Sequence, residues 1–219
     1  MRVKYYNIDK EFQRSYRKFN KYFSDFKRTG NLLLGKHLNN FEKKLSDLLG
    51  SKYVLGVANG TDALELSINS LNPPKNSEII TTSNTFVSTV NSIINAGCKP
   101  VFADIDSSYN IDPNRIEKHI NKNTFAIMPV HLNGLPACMN KIRKISKKFN
   151  LHIIEDAAQS ILSTYDGKYI GNQKNLACFS MHPTKNLGVL GDGGFISTND
   201  SSLFEKLKLL RNHGLKNGK

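Results

Sequence analysis

From residue 53 onward, short β-rich apolar runs alternate with amphipathic helical stretches, and this alternation restricts the fold more than any other feature of the chain. Residues 53–57, 78–82, 100–104, 125–130, 152–155, 177–181 and 194–198 read as seven short strands. Most are near-continuous apolar runs, which fits a sheet covered on both faces. Between them, residues 62–71 place Leu64, Ile68 and Leu71 on one helical face, and residues 138–149 do the same with Cys138, Ile142, Ile145 and Phe149. Asp112-Pro113 reads as an N-cap followed by proline at the first helical position. Ser202 and Glu205 have capping-box spacing ahead of Leu207 and Leu210. The expectation is an α/β fold: a seven-stranded, mostly parallel sheet with crossover helices on both faces.

The first fifty residues carry helical patterns at 10–28 and 38–49, the second with Phe41, Leu45 and Leu48 on one face, and no strand between them. They read as an N-terminal helical arm over 1–50, followed by one large domain over 51–219. No apolar run approaches the roughly 20 residues of a membrane span, and the N-terminal residues lack the apolar stretch of a secretory signal. Three scattered cysteines (Cys98, Cys138, Cys178) fit a reducing cytoplasm better than a disulfide scaffold. The six histidines are dispersed, so no metal site is expected. Charge asks for more care, because 31 Lys+Arg stand against 18 Asp+Glu. The excess sits on the flanks and on helices: residues 1–52 hold 13 basic and 5 acidic side chains, whereas 153–200 hold three basic and five acidic. Solvated lysine-rich helix faces account for that distribution more simply than nucleic acid or a membrane, and docking of an anionic substrate stays open.

Four constellations carry chemistry. Asn59-Gly60-Thr61-Asp62 turns a strand directly into a helix whose free N–H groups suit a phosphate; an ordinary turn capped by Thr61 or Asp62 is the alternative. Asp156 falls at the C-terminal end of a buried strand, where open α/β sheets place ligands. It would pair there with a cationic ring nitrogen or cap a helix. Lys185 lies between the strand that carries Ser180 and the glycine-rich Gly191-Asp-Gly-Gly194. A desolvated lysine there would form a Schiff base with a carbonyl, whereas an exposed loop lysine would do nothing. Phe86 follows a strand end, where it would stack on a planar ring or fill the core.

The four share one sheet edge, and in this combination the sequence resembles the DegT/StrS family of pyridoxal-phosphate-dependent sugar aminotransferases. The resemblance runs from Gly35-Lys-His-Leu-Asn-Asn-Phe-Glu42 through Gly60-Thr-Asp-Ala-Leu64, Thr85-Phe86, Pro129-Val-His-Leu-Asn-Gly134 and Ile154-Glu-Asp-Ala-Ala-Gln159. Its most diagnostic part is Phe179-Ser-Met-His-Pro-Thr-Lys-Asn-Leu-Gly188 with Gly191-Asp-Gly-Gly194, and it ends at Leu210-Arg-Asn-His-Gly214.

The resemblance implies a fold-type-I aminotransferase large domain, pyridoxal 5'-phosphate as cofactor, and amino transfer from an amino acid such as glutamate to a nucleotide-linked keto-sugar. A dTDP-keto-6-deoxyhexose is expected, with C-3 favoured over C-4, in amino-sugar and polysaccharide biosynthesis. By position, Lys185 is the residue that bonds the cofactor and moves the proton. Asp156 faces the pyridine nitrogen, Gln159 the ring hydroxyl, and Phe86 the ring plane; Ser180 with the N–H groups at Gly60, Thr61 and Asp62 holds the phosphate. Lysine at 185, where dehydratase relatives have histidine, favours transamination. Asn133 departs from the family's usual aromatic. Family members are considerably longer, so the expectation is a chain that stops after the large domain, without the small C-terminal domain, in a family that forms homodimers. A cofactor-binding but inactive or regulatory chain is the alternative.

Overall fold

The computed structural model describes residues 7–215. Nine strands and seven α-helices are assigned among them: α1 (Ile8–Thr29), α2 (Lys36–Leu49), β1 (Tyr53–Val57), α3 (Gly60–Ser70), β2 (Glu78–Thr81), α4 (Val87–Asn95), β3 (Lys99–Phe102), α5 (Pro113–Ile116), β4 (Thr124–Ile127), α6 (Met139–Phe149), β5 (His152–Asp156), β6 (Thr164–Tyr165), β7 (Lys168–Tyr169), β8 (Leu176–Ser180), β9 (Gly194–Thr198) and α7 (Ser201–Arg211). Seven strands form one sheet in the order β1-β9-β8-β5-β4-β2-β3. Only β9 runs against the rest, pairing antiparallel with both β1 and β8. The other pairs are parallel. All seven expected strands are present, in a mostly parallel sheet with helices on both faces.

Side-chain alternation along each strand explains why both faces are covered. Ile79, Ala126, Ile154 and Ile196 join Leu64 and Ile68 of α3, Ile93 of α4 and Leu207 of α7 in one core. Their neighbours Ile80 and Ile127 point the other way, into a second core with Ile116 of α5 and Met139, Ile142 and Ile145 of α6. A strand buried on both sides has no polar face to show, hence the continuous apolar runs.

The chain divides into two compact units, one up to Phe41 and one from Glu42. The division falls inside α2, earlier than the boundary expected at residue 50. Leu45 and Leu49 of α2 are buried, and Glu42 accepts from Gly56 N–H of β1 at 2.8 Å and pairs with Arg211 of α7. Within the first unit, Asp25 gathers Arg28, Lys36 and His37 at 2.6–2.8 Å, which holds its carboxyl far below the usual range.

Several local expectations need correction. Asp200 caps α7, accepting from the N–H groups of Ser202 and Leu203; Ser202 lies inside the helix and Glu205 pairs with Lys208. On α2 the inward residue is Leu49, not Leu48, which is exposed, as are Leu210 and Phe149 at the ends of their helices. The Asp112 cap holds, accepting from Asn114 N–H at 2.9 Å, yet α5 lasts a single turn. The β6–β7 hairpin was not anticipated. No helix among the described residues is long and apolar enough to cross a membrane.

Candidate active site

The carboxyl ends of β2, β4, β5 and β8 and the N-terminus of α3 surround a cavity of about 400 Å³. This is where a doubly wound sheet leaves a crevice, because successive crossovers depart to opposite sides. Gly60, Thr61, Phe86, Asp156, Gln159, Ser180 and Lys185 all line it. Asp62 does not. Its backbone N–H donates to Asn59 Oδ1 at 2.8 Å, so Asn59 is the cap of α3, in place of Thr61 or Asp62, and the N–H expected to serve a ligand is already committed. The first two N–H groups of the helix, at Gly60 and Thr61, have no acceptor within the helix by its geometry.

Ser180 is pressed against that helix start. A Cβ at position 60 would lie 2.8 Å from Ser180 Cβ and 3.3 Å from its Cα, so only glycine lets β8 approach so closely. On the other side of the turn, a Cβ on Gly194 of β9 would meet Asn59 O at 2.3 Å. The two glycines let the start of α3 pack directly against β8 and β9. Ser180 Oγ accepts from His182 N–H at 3.3 Å, which leaves its hydroxyl proton for the cavity.

Asp156 lies deep in the site and is 5% exposed. Thr89 Oγ1 donates to Oδ2 at 2.6 Å and Ala158 N–H to Oδ1 at 3.1 Å. Burial pushes this carboxyl above its ordinary range, opposed by those two hydrogen bonds. Among the described residues no cationic side chain forms an ion pair with it; His131 and Lys185 act on it through space. The preceding residue, Glu155, is fully buried and bonded to His131 Nε2 at 2.8 Å and to the Asn175 amide. His131 Nδ1 accepts from Ala137 N–H at 3.1 Å. With Nδ1 an acceptor, the Nε2 side of the imidazole faces Glu155 as a donor.

Gln159 is oriented in the same way. Its Oε1 accepts from the backbone N–H of Asn133 at 2.7 Å, so the amide NH₂ remains for the cavity. Asn133 adopts left-handed backbone angles (φ 52°, ψ 26°), a conformation asparagine tolerates better than most other non-glycine residues. Phe86 precedes α4 and is 67% exposed, which removes the buried-core alternative and leaves its ring at the cavity wall. Lys185 is half-buried in the turn after β8, with its N–H on His182 O at 2.8 Å. Sequence reasoning missed Thr89, His182, Thr184 and Asp192 as cavity residues. Three of these lie within the quoted lysine and glycine motifs, and only their position in space distinguishes them.

A profile of the DegT/DnrJ/EryC1/StrS aminotransferase family matches residues 14–219. The chain belongs to this family. It is 38% identical over 217 residues to a pleiotropic regulatory protein of Geobacillus stearothermophilus, covering 99% of this chain and 58% of that one. It is 46% identical over 187 residues to the dTDP-3-amino-3,6-dideoxy-α-D-galactopyranose transaminase of Aneurinibacillus thermoaerophilus, covering 85% and 52%. Among solved structures, NtdA from Bacillus subtilis with bound cofactor PMP superposes with a TM-score of 0.91 at 32% identity, covering 100% of this chain and 51% of that one. The chain thus spans little more than half the length of the relatives it matches. As a member of this family it carries the fold of the pyridoxal-phosphate-dependent sugar aminotransferases.

Proposed function

We propose that the cavity binds pyridoxal 5'-phosphate and that the protein transfers an amino group from an amino acid, glutamate for preference, to a nucleotide-linked keto-sugar. The observation that carries this reading is Asp156: a buried carboxylate with only neutral donors, in the wall of a cavity that also holds a lysine, an exposed aromatic ring and a helix N-terminus. A buried carboxylate is costly unless a cation or strong donors face it. A protonated ring nitrogen supplies what Asp156 lacks. Gly60 and Thr61 at the α3 N-terminus and the Ser180 hydroxyl all line the cavity, donors that suit a phosphate, so the residues present fit both ends of the cofactor.

When bound, pyridoxal phosphate supplies an aldehyde that condenses with amines and a ring that takes up an electron pair. Every other function falls to the chain. The N–H groups of Gly60 and Thr61 and the Ser180 hydroxyl donate to the phosphate, and Phe86 supports the ring plane. Gln159, held by Asn133 N–H, turns its NH₂ toward the ring hydroxyl. Asp156 holds a proton on the ring nitrogen, which makes the ring a better electron acceptor. Lys185 Nζ is the covalent anchor. As a free amine, Nζ would take the proton from the donor's α-carbon and later give one to the sugar carbon. Overall the amino acid leaves as its 2-keto acid and the sugar carbonyl becomes an amine-bearing carbon.

For the substrate, the transaminase relative named for a dTDP-3-amino-3,6-dideoxy sugar supports a dTDP-keto-6-deoxyhexose aminated at C-3, in amino-sugar biosynthesis in the cytoplasm, by a homodimer. A second reading has its own support: the relative matched over 99% of this chain is named as a regulatory protein, so a cofactor-binding chain without turnover is the rival. The test is to incubate purified protein with pyridoxal phosphate, trap with borohydride, map the labelled peptide, and assay amino transfer from glutamate to a dTDP-3-keto-6-deoxyhexose. Label on Lys185 with turnover supports the enzyme. Label without turnover, even when a longer relative is added, supports the regulator. No label in a folded protein refutes both.

A further inference from the structure

The Thr89 hydroxyl bonded to Asp156 has a second partner, and the two contacts have a direction. Thr89 Oγ1 carries one proton, and it goes to Asp156 Oδ2 at 2.6 Å. The 2.7 Å contact between Thr85 Oγ1 and Thr89 Oγ1 must then be a donation from Thr85. Two hydroxyls thus point in series at one carboxylate, from the loop after β2 and from the first turn of α4. Thr89 is fully buried, and both threonines line the cavity. Ala158 N–H holds the other oxygen, so each oxygen is fixed by one donor and keeps lone-pair capacity for another.

We propose that Thr89, backed by Thr85, is a positioning residue that fixes the orientation of the Asp156 carboxylate and stabilises its ionised form, so that it can face a protonated ring nitrogen. The inference rests on the cofactor reading above for the identity of that ring. A hydroxyl chain is suited to the task because each donation polarises the next, and donors to an ionised group are among the stronger hydrogen bonds. The other titratable groups around Asp156 do not replace it. His131, in the loop after β4, turns Nε2 to Glu155 and reaches Asp156 only through space. Glu155, next on the strand, is itself an acid engaged with His131 and Asn175. Cys178, the register partner on β8, is buried and its thiol is pushed far up, so it carries no charge. Lys185, after β8, also acts on Asp156 through space, after His131, and covalent engagement of its amine would change that contribution. The threonine donors are present in either state.

The test uses the whole chain without cofactor. Asp156 is followed by carbon NMR of carboxyl-labelled aspartate, the signal being assigned with Asp156→Asn. Thr89→Val keeps the side-chain shape and removes the hydroxyl. It should raise the pH midpoint of Asp156 by about 1 to 2 units, as expected for loss of a hydrogen bond to a charged group. Thr89→Ser should restore most of the shift. Thr85→Val should move the midpoint the same way by less, and it keeps the proposal testable if Thr89→Val does not fold. Pyridoxal phosphate titration should show roughly tenfold weaker binding for Thr89→Val and near-parent binding for Thr89→Ser. An unmoved midpoint in Thr89→Val, or a serine variant as shifted as the valine, overturns the proposal. A parent chain whose midpoint responds to these substitutions but which binds no cofactor overturns the cofactor reading and leaves the relay standing.

Discussion

Replacing Gly60 by alanine tests whether the proposed phosphate cradle is built by close approach of α3 to β8. The added methyl would sit 2.8 Å from Ser180 Cβ, with Ser180 Cα and Oγ both at 3.3 Å. Carbon atoms rest about 3.5 to 4.0 Å apart, so the helix start must retreat by roughly 1 Å. The nearest of these, Ser180 Cβ, is fixed to the backbone and cannot rotate away. Overpacking of this kind costs about 1 to 3 kcal/mol, while alanine for glycine in a helix returns about 1 kcal/mol. The net loss of stability, about 0 to 2 kcal/mol, is a poor readout. Affinity is a better one. A retreat of that size breaks at least one of the charge-assisted contacts assigned to the phosphate, each worth about 1.5 to 3 kcal/mol. Pyridoxal phosphate should therefore bind about 10- to 100-fold more weakly in a fluorescence titration. Pyridoxal without its phosphate should bind with the parent's affinity. In the double variant Gly60→Ala/Ser180→Gly, the clash with Ser180 Cβ disappears and the stability costs should be less than additive. Equal cofactor affinity in Gly60→Ala and parent would refute the reasoning, because the cradle would then not depend on the missing side chain.

Three further outcomes follow from the same geometry. Lys185→Ala should retain non-covalent cofactor binding but yield no borohydride-fixed peptide; label at another lysine would show that the anchor is misassigned. Asp156→Asn should be at least as stable as the parent at about pH 7 without cofactor, with the advantage shrinking toward acid. The sign follows from burial, which raises the native carboxyl above 3.8. The native state then binds the proton more tightly than the unfolded chain, and the charged form costs stability once pH has risen through the native value. Urea midpoints at two pH values measure this, and an advantage that grows in acid contradicts it. Phe86→Ala should weaken cofactor binding by about 2- to 10-fold through loss of ring stacking, with little change in stability, because the ring is already exposed.

What the sequence displayed and what it hid have separate physical causes. The seven strands were legible because burial on both faces makes each a continuous apolar run, as Ile79-Ile80 and Ala126-Ile127 show by feeding opposite cores. Helix starts were legible only to within two residues. Asn59 and Asp200 are the caps, but each stands beside hydroxyl or carboxyl residues of similar propensity, and only geometry selects among them. The β6–β7 hairpin carried its signal in Asp166-Gly167, both at positive φ, yet strands of two residues have no periodicity to detect. The site's principal residues could be named because they sit at strand ends within local motifs. Their supports could not. Thr89 meets Asp156 across 67 residues, and Asn133 meets Gln159 across 26; such pairings exist only once the sheet has brought its ends together.

Glu155 and Asp156 show how one strand assigns different work to adjacent acids. Successive side chains leave β5 on opposite faces, so the two carboxylates enter different surroundings although both are buried. Glu155 meets His131 and Asn175. Ala137 N–H occupies His131 Nδ1, so that histidine turns Nε2 to Glu155. The backbone N–H of Ala137 thus has an effect beyond its own hydrogen bond: it aims the imidazole at Glu155, while Asp156 keeps two neutral donors and its place in the cavity wall. The glutamate serves the fold and the aspartate the site, and strand alternation decides which is which.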